Sequence, residues 1–243
     1  MENYFNVNLE FNKDKIDEAI QRAIEKGMPA YVCSVDGNSL VSANKNPTHL
    51  EALNGALINL CDSAWTPVFV NLIHGTKYKN YTGADLFLEY IKQKRYRQFF
   101  LGSTEEILSG LKTELSKIDS AIAEMQFRTL PFKKVDEFDY PQIAQMINED
   151  NPDIVWVSLG APKQEQFMAR LKPFLNRGVL FGFGAIFNFN SGYSNQRRAP
   201  LWMIRLKMEW LFRTFQEPPR MGKRYWNVII SFPGLIVQEI KNK

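Results

Sequence analysis

Apolar residues recur every three to four positions along several stretches of the chain, and short continuous apolar runs lie between them. Over residues 13–26, Ile16, Ala19, Ile20, Ala23 and Ile24 share one face and Gly27 follows, which predicts a helix and its stop. Residues 30–35 form an apolar run that predicts a buried strand. Pro47 opens a helix carrying Leu50, Leu53 and Leu57 on one side. Residues 66–73 fit a strand or a short helix equally well. The pattern then becomes regular. Residues 83–95 predict a helix with Leu86, Tyr90 and Ile91 facing inward, and residues 98–101 a strand ending at Gly102. Ser103 with Glu106 three positions on reads as a capping box, followed by a helix with Ile107, Leu108, Leu111 and Leu115 on its apolar face. Further segments predict a helix at 141–149, a strand at 154–159, a helix at 163–171 and a strand at 179–183. Strands alternating with helices imply an α/β fold with a mainly parallel sheet flanked by helices.

After Gly192 the texture changes. Residues 193–200 are polar and basic and read as a linker. Residues 201–215 set Trp202, Leu206, Trp210 and Phe215 among Arg205, Lys207 and Arg213, an amphipathic basic helix. Pro218 and Pro219 break it, and residues 224–240 form a second apolar and basic segment. The chain thus divides into a core, 1–192, and a C-terminal helical appendage, 193–243.

The net charge of +4 conceals an asymmetry. Residues 196–243 carry ten Lys/Arg against three Glu, a net +7 that leaves −3 for the rest. A basic, aromatic tail on a mildly acidic body suits an anionic surface such as lipid headgroups or nucleic acid. The two cysteines, Cys33 and Cys61, are too few for a disulfide framework and fit a reducing compartment. No stretch approaches the roughly 20 apolar residues that span a bilayer, and the first fifteen residues hold no signal-like apolar run. The expectation is a cytoplasmic protein, peripheral on the inner face of the cell membrane. An exposed apolar tail would also drive self-association.

In an open α/β sheet, ligands bind beyond the carboxyl ends of the strands. Two such ends are marked by glycine: 101–103, with Gly102, and 159–162, with Gly160 and Pro162. Each precedes a helix, whose free N–H groups favour phosphate; a plain tight turn is the alternative. Gln164 at the next helix start could bond sugar hydroxyls or a base edge, and Glu165 beside it favours the helix dipole. Asp62 ends the apolar run 57–61, a place where a carboxylate can serve as general base or merely cap a turn. Residues 181–190 alternate glycine and aromatic residues, which reads as a strand and then a closely approached loop. His49 and His74 are far apart and no Cys/His cluster has metal spacing, so neither a metal nor another cofactor is expected.

Taken in order, several motifs resemble the WecG/TagA/CpsF glycosyltransferase family. They are residues 159–165 (Leu-Gly-Ala-Pro-Lys-Gln-Glu), Gly182-Phe183-Gly184 reaching Phe189 and Gly192, and Arg198-Ala199-Pro200. Glu209-Trp210-Leu211-Phe212-Arg213, Glu217-Pro218-Pro219-Arg220 and Arg224-Tyr225 continue the likeness through almost the whole chain. The resemblance implies a Rossmann-like core with a C-terminal appendage. It further implies inverting, metal-independent transfer from a UDP-sugar donor to a polyprenyl-diphosphate-linked sugar acceptor. It places the proposed base at Asp62 and a substrate-side Gln at Gln164, and sets Gly83 and Asp85 of a Gly-x-Asp-Leu motif near the donor pocket. Ser34 and Asp36 stand where the family has Thr-Pro-Asn, Asn80 where it has an Arg, Asn188 where it has an acid, and Ser63 where it has a Gly. Arg198, Arg213, Arg220 and Arg224 are then candidates to close over the site on a diphosphate, or to face anionic headgroups. A nucleic-acid-binding module is the rival reading; the basic charge sits in helices with apolar faces and no DNA or RNA motif is present, so no nucleic-acid partner is expected. A dinucleotide-dependent oxidoreductase lacks its Gly-x-Gly-x-x-Gly fingerprint.

Overall fold

The computed structural model describes residues 1–193 and 196–243. Ser194 and Asn195, within the expected linker, lie outside the described residues. A small antiparallel hairpin, β1 (Glu2–Tyr4) and β2 (Val7–Leu9), precedes α1 (Lys13–Glu25) and the first core strand, β3 (Ala30–Val35). Helices α2 (Gly37–Lys45) and α3 (Pro47–Asn54) lead to β4 (Ile58–Cys61). Then come α4 (Thr66–His74), α5 (Gly83–Lys92), β5 (Gln98–Gly102), α6 (Glu105–Ser116), β6 (Gln126–Arg128) and α7 (Tyr140–Asp150). The core closes with β7 (Ile154–Ser158), α8 (Lys163–Leu171), β8 (Val179–Gly182) and α9 (Gly184–Asn190). The C-terminal part holds α10 (Leu201–Arg205), α11 (Glu209–Gln216) and α12 (Pro218–Lys241).

The main sheet has six strands, all parallel, in the order β4-β3-β8-β7-β5-β6. Alternate residues of each strand feed opposite faces. Tyr31, Cys33, Val35, Val155, Val157 and Leu180 join α2, α3, α7, α8 and the inner side of α12, while Val32, Ile154, Trp156, Val179 and Phe181 join α1, α5, α6 and α9. This is the expected Rossmann-like arrangement, and it brings every strand's carboxyl end to one edge.

Several local expectations differ from the structure. Residues 66–73 are helical as α4, with Pro67 in the first turn and Gly75 as a left-handed cap. The loop expected after β8 is helix α9, packed against α6. Thr104, not Ser103, caps α6: Gly102 and Ser103 both take positive φ to make the turn, and the extended backbone at Thr104 lets its side chain accept from Ile107 N. The basic helix expected over 201–215 is two pieces, α10 and α11, because Lys207 between them adopts a φ of 59°. Pro218 and Pro219 end one helix by starting the next, since α12 accepts them in its first turn.

Helix α12 lies against the core. Phe232 meets Phe5 and Phe69. The Glu239 carboxylate accepts from Phe5 N at 2.7 Å and contacts His74 Nε2 at 2.9 Å. Its other side leaves Trp226, Ile229, Ile230, Val237 and Ile240 exposed, alongside Leu201, Trp202, Leu206 and Phe215 from α10 and α11.

Candidate active site

Asp62 follows the last residue of β4, and its backbone N–H donates to Val35 O at 2.9 Å, carrying the sheet pairing one step beyond the strand. On neighbouring β3 the Ser34 hydroxyl donates to Asp62 Oδ2 at 2.5 Å. Burial pushes the Asp62 carboxyl up to about 7; the Ser34 hydrogen bond works against this, Glu209 and Asp36 add to it, and Arg213 opposes it. A carboxyl so poised is half ionised near neutrality, which suits a general base.

Asp36, two residues beyond Ser34, caps α2 by accepting from Ser39 N at 2.9 Å and forms an ion pair with Arg224 of α12. Burial disfavours its charge, but Arg224, the Ser39 N–H and Arg213 outweigh burial and hold the carboxyl below the usual range. The aspartate that stands in place of an amide thus ties the appendage to the end of β3. Gly83 opens α5 where a Cβ would lie 3.3 Å from both Ser34 Oγ and the Phe183 ring. Asp85 in the same turn binds Thr82 Oγ1 at 2.6 Å and pairs with Arg198 at 2.9 Å. Arg213 lies over the Phe189 ring at 5.1 Å and, among the described residues, makes no ion pair.

The two glycine-marked strand ends differ. At Gly102 (φ 97°) a Cβ would fall 2.5 Å from Ser158 O, so this glycine serves close packing against β7. At Gly160 (φ 77°) the same position faces open space. The Ala161–Pro162 peptide that follows is cis. Gln164 is buried, and all four of its hydrogen-bonding positions are used within the protein. Its Oε1 accepts from Gly160 N at 3.2 Å and Gly184 N at 3.1 Å, and its Nε2 donates to Gly182 O and to Glu165 Oε1, both at 2.9 Å. It therefore staples the loop after β7 to the loop after β8. The packing is close: a Cβ on Gly184 would meet Gln164 Oε1 at 2.9 Å and Gly160 N at 3.0 Å.

Ser34, Asp36, Asp62, Gly83, Gly160, Gln164, Arg213 and Arg224 thus gather at one sheet edge. Others lie outside this group. Asn80 is exposed in the loop before α5. Asn188 donates to Gln196, Gln196 donates to Glu217, and Glu217 holds the exposed Arg220 at 3.3 Å, a chain that braces the appendage. Glu209 gave no sign in the sequence of its influence on Asp62, because only the fold of α11 over the site creates it. Among the described residues no group of three or more His, Cys, Asp and Glu could hold a metal ion.

Residues 3–243 match the Glycosyl transferase WecG/TagA/CpsF family. The chain belongs to that family. It is a glycosyltransferase, and its curated relatives include enzymes from three bacteria that share one name, N-acetylglucosaminyldiphosphoundecaprenol N-acetyl-beta-D-mannosaminyltransferase. The Bacillus subtilis (strain 168) enzyme is 28% identical over 246 residues, covering 99% of this chain and 90% of the relative. That of Bacillus spizizenii is 27% identical over 223 residues, 90% of this chain and 82% of the relative. That of Staphylococcus aureus (strain MW2) is 21% identical over 187 residues, 74% and 70% respectively. Among the described residues of this glycosyltransferase, no helix is long and apolar enough to cross a membrane.

Proposed function

We propose that this glycosyltransferase moves a hexose or N-acetylhexosamine-type sugar from a UDP-sugar to a polyprenyl-diphosphate-linked sugar, with inversion, in bacterial cell-surface polysaccharide synthesis. The names of the relatives point to the acceptor class, since each acts on N-acetylglucosaminyl-diphosphoundecaprenol and transfers N-acetylmannosamine. The observation that carries the reading is the Ser34–Asp62 pair at the carboxyl ends of two adjacent strands, with a carboxyl near 7. Ser34 occupies Oδ2, which leaves Oδ1 to take the proton of the acceptor hydroxyl. The acceptor oxygen forms its bond to the anomeric carbon as the carbon–oxygen bond to the diphosphate breaks, and UDP departs with that electron pair. One displacement gives inversion.

Negative charge grows on the departing diphosphate. The position of Arg213 over the Phe189 ring supports a role for it in meeting that charge, and Arg224 and Arg198 can turn toward it from Asp36 and Asp85. These guanidinium groups, with the open face of Gly160, support a metal-independent reaction, for which undiminished turnover in a chelator is the check. The exposed Trp202, Trp210 and Trp226 among lysines and arginines support peripheral contact with an anionic membrane where the lipid-linked acceptor resides.

The test is a panel of UDP-sugars with a short-chain polyprenyl-diphospho-N-acetylglucosamine, with the product anomer determined. Asp62→Asn should keep UDP binding and lose on the order of a hundredfold or more in turnover. Near-normal turnover in that variant would remove Asp62 from the reaction.

A further inference from the structure

Behind the glycine loops lies a buried pair that the reaction above does not use. His49 of α3 and Glu165 of α8 are both 0% exposed. His49 Nε2 and Glu165 Oε2 stand 3.8 Å apart, and among the described residues neither atom has a hydrogen-bond partner. Their remaining polar atoms are engaged. His49 Nδ1 lies 3.0 Å from Ser42 Oγ of α2, and Glu165 Oε1 accepts from Gln164 Nε2 at 2.9 Å.

Two orphaned buried atoms facing each other are costly unless they meet. Burial sets the protons for such a meeting: it drives His49 down to about 4 and Glu165 up to about 7, so both are neutral between those two values. A neutral histidine donating from Nδ1 to Ser42 presents Nε2 as an acceptor. A protonated Glu165 accepting at Oε1 presents Oε2–H as a donor. A rotation of the Glu165 carboxyl of about 1 Å brings the pair to hydrogen-bond distance.

We propose that His49 is a positioning residue: by accepting a hydrogen bond from Glu165 it fixes the Gln164 amide, and thereby the spacing of the Gly160 and Gly184 loops that receives the nucleotide diphosphate. The chain of contacts runs from Ser42 through His49, Glu165 and Gln164 to Gly160, Gly182 and Gly184. It joins α2 and α3 to two strand ends. This inference rests on the UDP-sugar reading above.

The test is calorimetric titration of UDP into the wild type, Asp62→Asn, His49→Leu, His49→Gln, Glu165→Leu and Glu165→Gln, with donor KM, acceptor KM and kcat measured in parallel. His49→Leu and Glu165→Leu should weaken UDP about tenfold and raise donor KM with acceptor KM unchanged, the scale expected when a buried hydrogen bond that holds a binding loop is lost. Glu165→Gln should bind like wild type, because the introduced amide donates to His49 and accepts from Gln164. His49→Gln should recover most of the loss. A purely structural role would lower melting temperature in both leucine variants while leaving UDP affinity unmoved, and that result would overturn the proposal. If His49→Leu does not fold, the Glu165→Leu and Glu165→Gln comparison decides alone: equal UDP affinity in the two overturns it. Failure of both wild type and Asp62→Asn to bind UDP would overturn the donor reading itself and the relay with it.

Discussion

Replacing Asp62 with Asn removes one ionisable group and little else. The amide oxygen still accepts from Ser34, and the volume is unchanged. The cost of keeping a carboxylate at this place can then be read from stability. Its carboxyl moves from 3.8 to about 7 on folding. Each tenfold step in acidity corresponds to about 1.4 kcal/mol, so the fully ionised carboxylate costs the fold at most about 4 kcal/mol. Asp62 is only half-buried, and residual water reduces this to roughly 2 kcal/mol.

The sign follows from proton counting. Between 3.8 and about 7 the folded state holds the Asp62 proton more tightly than the unfolded chain does. Raising the pH through that window therefore destabilises the wild type, and above 7 the penalty is complete. Asp62→Asn escapes it. The variant should melt higher than wild type, with an advantage that grows from about pH 5 to pH 8 by roughly 1–2 kcal/mol, or about 2–8 °C for a chain of this size. Thermal melting of the two proteins across that range is the assay. An advantage equal at both ends, or a variant less stable at pH 8, would refute the claim that the site holds its carboxylate against the fold's own preference.

Three further predictions follow from the same geometry. In wild type, kcat at saturating donor should climb with pH and level off above about 7, since a base works only when deprotonated; an acidic limb near 4 would show Asp62 ordinary or uninvolved. Arg213→Ala should weaken UDP at least about tenfold by removing a guanidinium that makes no ion pair among the described residues, whereas Arg220→Ala, exposed and paired with Glu217, should change it less than about twofold; titration calorimetry on both checks this. Trp202→Ser with Trp226→Ser should cut flotation with phosphatidylglycerol vesicles about tenfold while leaving melting temperature unchanged, because both rings are exposed, at 59% and 64%. Point changes suit this better than deleting 193–243, which would also strip Phe232 and Glu239 from their seats on Phe5.

Periodicity and punctuation alone fixed much of the architecture. Helices α1, α3, α5, α6, α7 and α8, strands β3, β5, β7 and β8, and the glycine-marked strand ends are all visible in the chain, because each depends on neighbours within a turn or two. That Asp62 ends an apolar run was visible for the same reason, whereas its place at a strand end came from the family resemblance and not from the local pattern. Segment 66–74 became a helix, and 184–190 a helix in place of a loop, only through packing, since short apolar runs satisfy either period. Three facts about the site belong to the tertiary structure alone. Arg224 meets Asp36 across 188 residues, Gln164 spends its amide on two glycine loops, and His49 faces Glu165 in a dry interior. No local pattern encodes such pairings. They arise where distant segments are pressed together, and burial there decides which groups keep their charge and which must find a partner.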